Sequence, residues 1–336
     1  MNDFLRILSI LILSSAPLAS GVAASFPLAA SSSGRTWYAD AVNGSDAGAG
    51  TSWRTAKRTL QAAIDLAVDG DEILVADGIF APIVTDNKAI VIRSVNGARK
   101  TFIDGGGTQT CAVLCPDGIE ERWNTILVGF TIQNGYCDRE GGSSGVRHGI
   151  IRNCIVRNNE THGYSASCLY ESRAYNCLFY GNSFSYTTIV YLGEYPLTYS
   201  GIWGGGVIGW SNIYNCTIVD NDAYGVWDCY TYNSIVWGNA DDIYISRGHT
   251  EESPVFSCYG ASLYDGEGSI KVDPKFVDAA NRDYRLQADS PCINAGSNTY
   301  VGAGDADLAG RSRIVKDTVD MGAYEYGSKP LLMRFF

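Results

Sequence analysis

A short motif of alternating apolar and polar residues recurs along the middle of the chain. Each copy runs Asn, small, apolar, apolar, two variable positions and Asn. The four clear copies are NCIVRNN from Asn153, NCLFYGN from Asn176, NCTIVDN from Asn215 and NSIVWGN from Asn233, and GFTIQNG from Gly129 is a weaker one. The leading asparagines lie 23, 39 and 18 residues apart. This spacing predicts a repeat of about twenty residues, with one divergent turn between the second and third copies.

The motif predicts one strand per copy, because it is too short for a helix and is bordered by Gly and Asn. Strands that recur in one chain direction without helical crossovers predict an all-β fold, a right-handed parallel β-helix solenoid. Alternation places inside it Phe130, Ile132, Cys154, Val156, Cys177, Phe179, Cys216, Ile218, Ser234 and Val236. A ladder at a turn, where Asn tolerates left-handed backbone, is predicted for Asn159, Asn182, Asn221 and Asn239.

The two ends of the predicted solenoid have different patterns. Near residues 55–69, Leu60, Ala63, Ile64 and Ala67 recur at helical spacing and predict an amphipathic N-terminal cap helix. Such a cap covers core and strand edges that an open coil would expose. The Asn motifs occupy coils near residues 126–245, and Asp-, Arg- and Pro-containing segments near residues 269–326 predict a closing cover. We expect one domain over residues 36–326.

The first residues have the pattern of a secretory signal peptide. Arg6 precedes a short apolar run from Ile7 to Leu13, and small residues follow that offer cleavage sites after Ser20 or Ala24. The run is too short to span a bilayer comfortably, although an uncleaved anchor is the alternative interpretation. We therefore expect residues 1–24 to be removed, leaving a monomer that is secreted or held at the cell surface.

Composition narrows the classes of partner. The chain has 336 residues and a formal net charge of −11, which argues against nucleic acid, because binding to phosphates draws on Lys and Arg. Its 38 glycines, 9 prolines and 12% aromatic residues suit many short strands joined by tight turns. An all-helical fold is excluded.

Two terminal blocks resemble a known group. TWYADAVNGSDAGAGTSWRTAKRTLQAAIDLAVDGDEILVADGIF is similar to the opening of secreted bacterial proteins of the pectate-lyase-like superfamily. DPKFVDAANRDYRLQADSPCINAG and DADLAGRSRIVKDTVDMGAYEY resemble the closing segment of the same group, the choice-of-anchor type. The resemblance covers residues 36–326 and implies the β-helix. It leaves activity open, because the superfamily includes polysaccharide lyases, glycoside hydrolases and adhesin-like surface proteins.

The even number of cysteines, ten, raises the question of disulfides. Cys154 and Cys177 share a phase in adjacent coils, so their Cβ atoms should lie about 4.8 Å apart, beyond the usual disulfide separation of about 3.5–4.5 Å. We expect stacked, inward-facing thiols that act as small apolar residues. Cys111 and Cys115 are the best local disulfide candidates. A structural zinc site is not expected, because the histidines are scattered and no C-x-x-C pair occurs.

Two kinds of catalytic site are compatible with the sequence. A lyase would need a base, and Arg157 is the arginine on the outward phase of a repeat strand; a solvated surface residue is the alternative. A hydrolase would need two carboxyl groups. Four aspartates follow successive strands: Asp220, Asp222, Asp241 and Asp242. They could form such a pair or hold calcium, and the alternative is that they are turn residues.

Binding has better support in the sequence than catalysis. The outward column of the motif runs Gln133, Arg157, Tyr180, Val219, Trp237, and the divergent turn adds further rings, among them Tyr195 and Trp203. Aromatic faces along a flat sheet suit stacking on sugar rings, unless the turn folds over and buries its own rings. The sequence therefore predicts a polysaccharide-binding protein with substrate-binding residues Tyr180, Trp237, Tyr195 and Trp203. A lyase or hydrolase and an adhesin-like scaffold are the alternatives.

Overall fold

The computed structural model describes residues 34–119, 123–163, 165–192, 195–201, 206–246, 252–260, 263–302 and 304–327. The main chain winds through three long parallel sheets, here named A, B and C, of eight, eight and seven strands. Within each sheet the neighbouring strands follow one another in chain order, so successive coils add strands to the three sheets in turn. The chain is a parallel β-helix, and the predicted fold class is confirmed.

The strands of sheet A are Thr36–Ala39, Glu72–Val75, Val91–Ser94, Ile126–Val128, Ile150–Arg152, Arg173–Tyr175, Asn212–Tyr214 and Tyr230–Tyr232. Those of sheet B are Gly78–Phe80, Thr101–Asp104, Thr131–Gln133, Ile155–Arg157, Leu178–Tyr180, Thr217–Val219, Ile235–Trp237 and Cys258–Tyr259. Those of sheet C are Ile83–Val84, Ala112–Val113, Ser143–Arg147, Ser167–Tyr170, Gly206–Gly209, Tyr224–Trp227 and Asp241–Tyr244.

Smaller elements complete the described chain. A four-stranded sheet D contains Tyr136–Cys137, Glu160–His162, Ser183–Leu192 and Tyr195–Gly201, and its last two strands form an antiparallel hairpin. A second antiparallel pair is Phe276–Asp278 with Asp283–Leu286. The helical elements are the α-helix Leu60–Leu66 and the 3-10 helices Trp53–Thr55, Ala279–Asn281 and Asn298–Tyr300. Over the described ranges, no helix has the length and apolarity that crossing a membrane requires.

The interior follows the alternation of the motif. Along sheet B, one column in register is made of Ile132, Val156, Phe179, Ile218 and Val236, and all five are fully buried. The residues two positions earlier, from Phe130 to Ser234, are also buried, as predicted. Parallel strands stack equivalent positions about 4.8 Å apart, so one apolar choice per coil builds a continuous core.

The trailing asparagines form the predicted ladder, and the first three of the four are buried, whereas Asn239 is partly exposed. Asn159 Nδ2 donates to Asn182 Oδ1 at 3.0 Å, Asn182 Nδ2 to Asn221 Oδ1 at 3.0 Å, and Asn221 Nδ2 to Asn239 Oδ1 at 2.8 Å. The ladder ends on Asp242, whose Oδ1 accepts from Asn239 Nδ2 at 3.0 Å. An amide has a donor at one end and an acceptor at the other, so it can repeat, and a carboxylate can end the row.

The predicted position of the left-handed backbone is wrong. The leading residues of the motif adopt it, with φ between 49° and 54° at Asn153, Asn176, Asn215 and Asn233. There the chain turns the corner from sheet A to sheet B. The side chains of three of these residues reach outward: Asn153 Nδ2 donates to Asp307 O, Asn215 Nδ2 to Tyr300 O and Asn233 Nδ2 to Ser297 O. The leading asparagines therefore hold the closing segment on the solenoid.

The N-terminal cap helix is shorter than predicted, spanning Leu60–Leu66 within the predicted residues 55–69. It begins at Thr59, whose side chain accepts from Ala62 N, and its apolar side buries Leu60, Ala63 and Ile64. Gln61 completes the cap, because its amide accepts from Val84 N at 2.9 Å and donates to Val84 O at 3.0 Å. The side chain thus imitates a neighbouring strand at the edge of sheet C.

The closing segment packs on the outside of sheet B. Ile155, Leu178, Tyr180 and Val219 on the sheet form one buried cluster with Tyr284, Ala323 and Tyr324 of the segment. Under the end of the segment is a second buried group of polar residues, Asp307, Arg313, Asp320 and Glu325. Most of the outward face of sheet B in the middle coils is therefore inside the protein.

In this structure all ten cysteines are buried and in the thiol state, and the candidate disulfide between Cys111 and Cys115 is wrong, because the two thiols contact different backbone carbonyls. Cys111 Sγ donates to Gln133 O at 3.2 Å and Cys115 Sγ to Pro116 O at 3.3 Å. The expected stack is present, because Cys154 N donates to Cys177 Sγ and Cys177 N to Cys216 Sγ, both at 3.4 Å. Burial raises the pKa of the Cys111 thiol to about 12.

Candidate functional site

Arg157, the candidate lyase base, belongs to a row of hydrogen bonds along sheet B. Its Nε and Nη2 donate to Gln133 Oε1 at 3.1 and 2.8 Å, and its Nη1 donates to Tyr180 Oη at 3.0 Å. Gln133 in turn donates to Asp104 at 2.8 Å. A base needs a free lone pair facing its substrate, and this guanidinium is engaged as a donor on both sides. Its contacts are those of a residue that joins adjacent coils.

The prediction that Tyr180 is exposed for stacking is wrong. Its side chain is only 7% exposed, because the ring of Tyr284 packs 5.8 Å away and the Arg282 guanidinium lies 5.1 Å from its centroid. Trp237 is half-buried against the same closing segment. The side chain of Tyr195 and the whole of Trp203 lie outside the described residues, so their predicted roles stay predictions.

The four candidate aspartates do not converge on one site. Asp220, Asp222 and Asp241 are exposed, and Asp220 accepts a hydrogen bond from Tyr284 Oη at 2.8 Å. Asp242 is buried at the end of the amide ladder, with Gly260 N donating to its second oxygen at 2.8 Å. Burial raises the pKa of Asp242 despite these hydrogen bonds. Across the described ranges, no group of three or more His, Cys, Asp or Glu side chains is arranged to hold a metal ion.

An open concave surface with mixed chemistry lies at the corner between sheets A and B in the first three coils. We call it the corner groove; it has a volume of about 470 Å³ and is lined by Asp40, Val42, Asn43, Trp53, Ala76, Asp77, Val95 and Asn96. In later coils the leading asparagines bind the closing segment along this same corner. The groove exists because the first coils are not covered in that way.

Trp53 forms the aromatic wall of the corner groove. Its side chain is 43% exposed, and its ring packs edge-on against Tyr38 with centroids 4.8 Å apart. Val42 and Val95, which are 70% and 40% exposed, supply apolar surface nearby. An exposed indole that one neighbour fixes at its edge presents a face for stacking at little cost in side-chain entropy.

The loop that carries Trp53 is held by a dense set of hydrogen bonds. Asp46 accepts from Arg58 N, Thr59 N and Thr59 Oγ1 at 2.9–3.0 Å, and Lys57 Nζ donates to Asp46 O at 2.8 Å. Gly44 packs so closely that an added Cβ would lie 2.5 Å from the carbonyl oxygens of Asp40 and Lys57. The loop is therefore pre-organised for binding.

Polar side chains of the groove come in acid and amide pairs. Asp40 accepts from Asn43 Nδ2 at 3.1 Å and from the Asn43 and Val42 N–H groups at 2.9 Å, and Asn96 Nδ2 donates to Asp77 Oδ1 at 2.8 Å. Burial alone would raise the pKa of Asp40, but the hydrogen bonds from Asn43 and Val42 lower it below its usual value. The groove is therefore acidic at neutral pH, and its described lining includes no basic side chain.

The sequence contains a signal for this site that lies outside the Asn motif. Asp40 comes directly after the first strand of sheet A. Asp77 comes two residues after the end of the second strand, and Asn96 comes two residues after the end of the third. Equivalent turns stack in a solenoid, so these polar residues had to meet at one corner. Trp53 is harder to place, because its position depends on the fold of residues 40–59.

Comparisons with known proteins yield distant likenesses. No protein-family model matches the chain, and no curated protein matches it. Among solved structures it is similar to pectate lyase Pel9A, at 13% identity and a TM-score of 0.37, over 87% of this chain and 96% of that one. It is also similar to XylC, solved with xylose, at 9% identity and a TM-score of 0.31, over 68% of this chain and 66% of that one.

Proposed function

We propose that this protein binds a neutral polysaccharide in the corner groove. The observation that carries the proposal is the exposed face of Trp53 beside two acid and amide pairs on a rigid loop. A sugar ring has an apolar face that stacks on an indole and hydroxyl groups that bond carboxylates and amides. The volume of the groove also falls within the usual range for small-ligand sites, about 300–1,000 Å³.

The charge of the groove favours an uncharged glycan over a uronate polymer. A uronate would bring its carboxylates toward Asp40 and Asp77, and like charges that close repel strongly when partly desolvated. The net charge of −11 acts in the same direction at longer range. With the signal-like residues 1–24, the proposal places the protein outside the cytoplasm, in contact with an extracellular glycan.

Catalysis is not part of the proposal. Arg157, Asp220 and Asp242 each serve a structural contact, and Asp222 and Asp241 are exposed. Polymer cleavage can be checked in the same samples, by new reducing ends for hydrolysis and by the absorbance of unsaturated uronates for lyase action.

Affinity electrophoresis against neutral and uronate polysaccharides, with and without calcium, tests the proposal. We expect retardation by at least one neutral polymer and its loss in Trp53→Ala. Trp210→Ala is a matched control, because Trp210 is also 43% exposed and packs edge-on against another ring, that of Trp227. Equal loss in both variants would place binding elsewhere. Retardation by uronates alone, or by no polymer, would contradict the proposal, and the latter would favour an adhesin-like scaffold.

A further inference from the structure

Two cysteines meet where the closing segment joins the last coil. Cys258 is on sheet B in the column of Leu178, Thr217 and Ile235, the column that the closing segment covers. Cys292 belongs to the closing segment, and both cysteines are fully buried in one apolar cluster with Ile235, Leu286 and Met321. Their side chains therefore come from two layers that face each other.

This arrangement differs from the thiol stack inside the solenoid. Cys154, Cys177 and Cys216 project in parallel from adjacent coils, a geometry that keeps Cβ atoms about 4.8 Å apart. A disulfide needs Cβ atoms about 3.5–4.5 Å apart and side chains directed at each other. Cys258 and Cys292 instead lie in one buried cluster and come from opposite layers, and contact with the Cys258 thiol, together with burial, raises the pKa of Cys292.

We propose that Cys258 and Cys292 form a disulfide bond that fastens the closing segment to the last coil. The oxidant is a small or protein disulfide, such as an exported protein would meet. A thiolate of the pair attacks that disulfide, forms a mixed disulfide and releases one thiol; the second cysteine then attacks the protein sulfur and releases the other thiol. Two protein thiols are oxidised and one disulfide is reduced to two thiols, so electrons and protons balance.

The backbone around the pair supports a fixed join. Cys292 O accepts from Met321 N at 3.0 Å, Cys258 N donates to Ser234 O at 2.8 Å, and Ala323 N donates to Thr217 Oγ1 at 2.9 Å in the same column. Both partners are thus held before oxidation. Because the thiols are buried, oxidation requires the closing segment to be open, either during folding or by local unfolding.

The test is refolding of the full chain from urea in a buffer of reduced and oxidised glutathione, followed by acid quench, alkylation in denaturant and tryptic mass spectrometry. Lys271 and Lys275 separate the two cysteines into different peptides. We expect eight of the ten cysteines to be alkylated and the other two, Cys258 and Cys292, to be found in one pair of linked peptides. The oxidised protein should also have a thermal midpoint several degrees higher than the reduced protein.

Two variants make the outcome specific. Cys292→Ser should abolish the linked peptides and leave Cys258 as a free thiol or a glutathione adduct. Cys177→Ala, which changes the interior stack, should still form them if it folds. Ten alkylated cysteines in refolded wild-type protein, or a linkage between other cysteines, would overturn the proposal. It does not depend on glycan binding, so either can fail alone.

Discussion

The amide ladder gives the sharpest prediction about stability, and Asn182 is its central member. The side chain is fully buried; its Oδ1 accepts from Asn159 N and Nδ2 at 3.1 and 3.0 Å, and its Nδ2 donates to Val156 O and Asn221 Oδ1 at 3.0 Å. Asn182→Ala removes these four hydrogen bonds and a longer one from Nδ2 to Tyr180 O at 3.4 Å. It also leaves at least the buried Asn159 N–H without its side-chain acceptor.

The expected loss follows from these counts. An unsatisfied buried group costs about 1–3 kcal/mol and each of the three further short hydrogen bonds about 1 kcal/mol, so Asn182→Ala should lower the free energy of unfolding by about 4–6 kcal/mol. That is a large part of the about 5–15 kcal/mol of a typical domain. Asn182→Asp keeps the acceptor but sets a carboxylate against two oxygens, so its loss should grow as the pH rises and the acid ionises.

Equilibrium urea unfolding followed by tryptophan fluorescence measures the effect. Asn124→Ala is the control, because Asn124 is exposed and away from the ladder, and it should change the free energy by less than about 0.5 kcal/mol. If Asn182→Ala were as mild as Asn124→Ala, the ladder would contribute little and the reasoning would be refuted.

Two further predictions concern the closing segment and the N-terminal cap. Burial raises the pKa of Glu325 to about 8. The unfolded chain therefore loses this proton near pH 4.3, whereas the folded chain loses it only near pH 8. The free energy of unfolding should fall between these two values by up to about 1.4 kcal/mol per pH unit. Glu325→Gln should make thermal stability depend less on pH, as measured by melts at several pH values. Gln61→Met should lower the free energy of unfolding in urea by about 1 kcal/mol. It should also expose the edge of sheet C at Val84, so concentrated samples should associate and scatter more light. Unchanged stability and scattering would show that this edge needs no cover.

The coils could be predicted because each repeats a local pattern. One apolar column, from Ile132 to Val236, and one amide column, from Asn159 to Asn239, recur at fixed phase, so the sequence contains the contacts between neighbouring coils. Stacking then follows from the spacing of parallel strands. The burial of the Cys154 stack follows by the same argument.

The outer surface could not be predicted in that way. Tyr180 and Trp237 occupy outward positions, and only the packing of Tyr284 and its neighbours, far along the chain, buries them. Nothing in the motif distinguishes a covered column from an exposed one. The same long-range packing decides where the corner groove lies, because the cover on the later coils leaves the first turns accessible.

The central claim is that a neutral polysaccharide binds in the corner groove. The most direct test measures amide hydrogen exchange of the protein with and without the neutral polysaccharide that retards it most in electrophoresis. Added polymer should slow amide exchange in residues 40–59 and in the turns at residues 76–78 and 95–97, with little change in the coils from residue 206 onward. Protection along the face of sheet C or on the hairpin of sheet D, with none at the corner groove, would contradict the account.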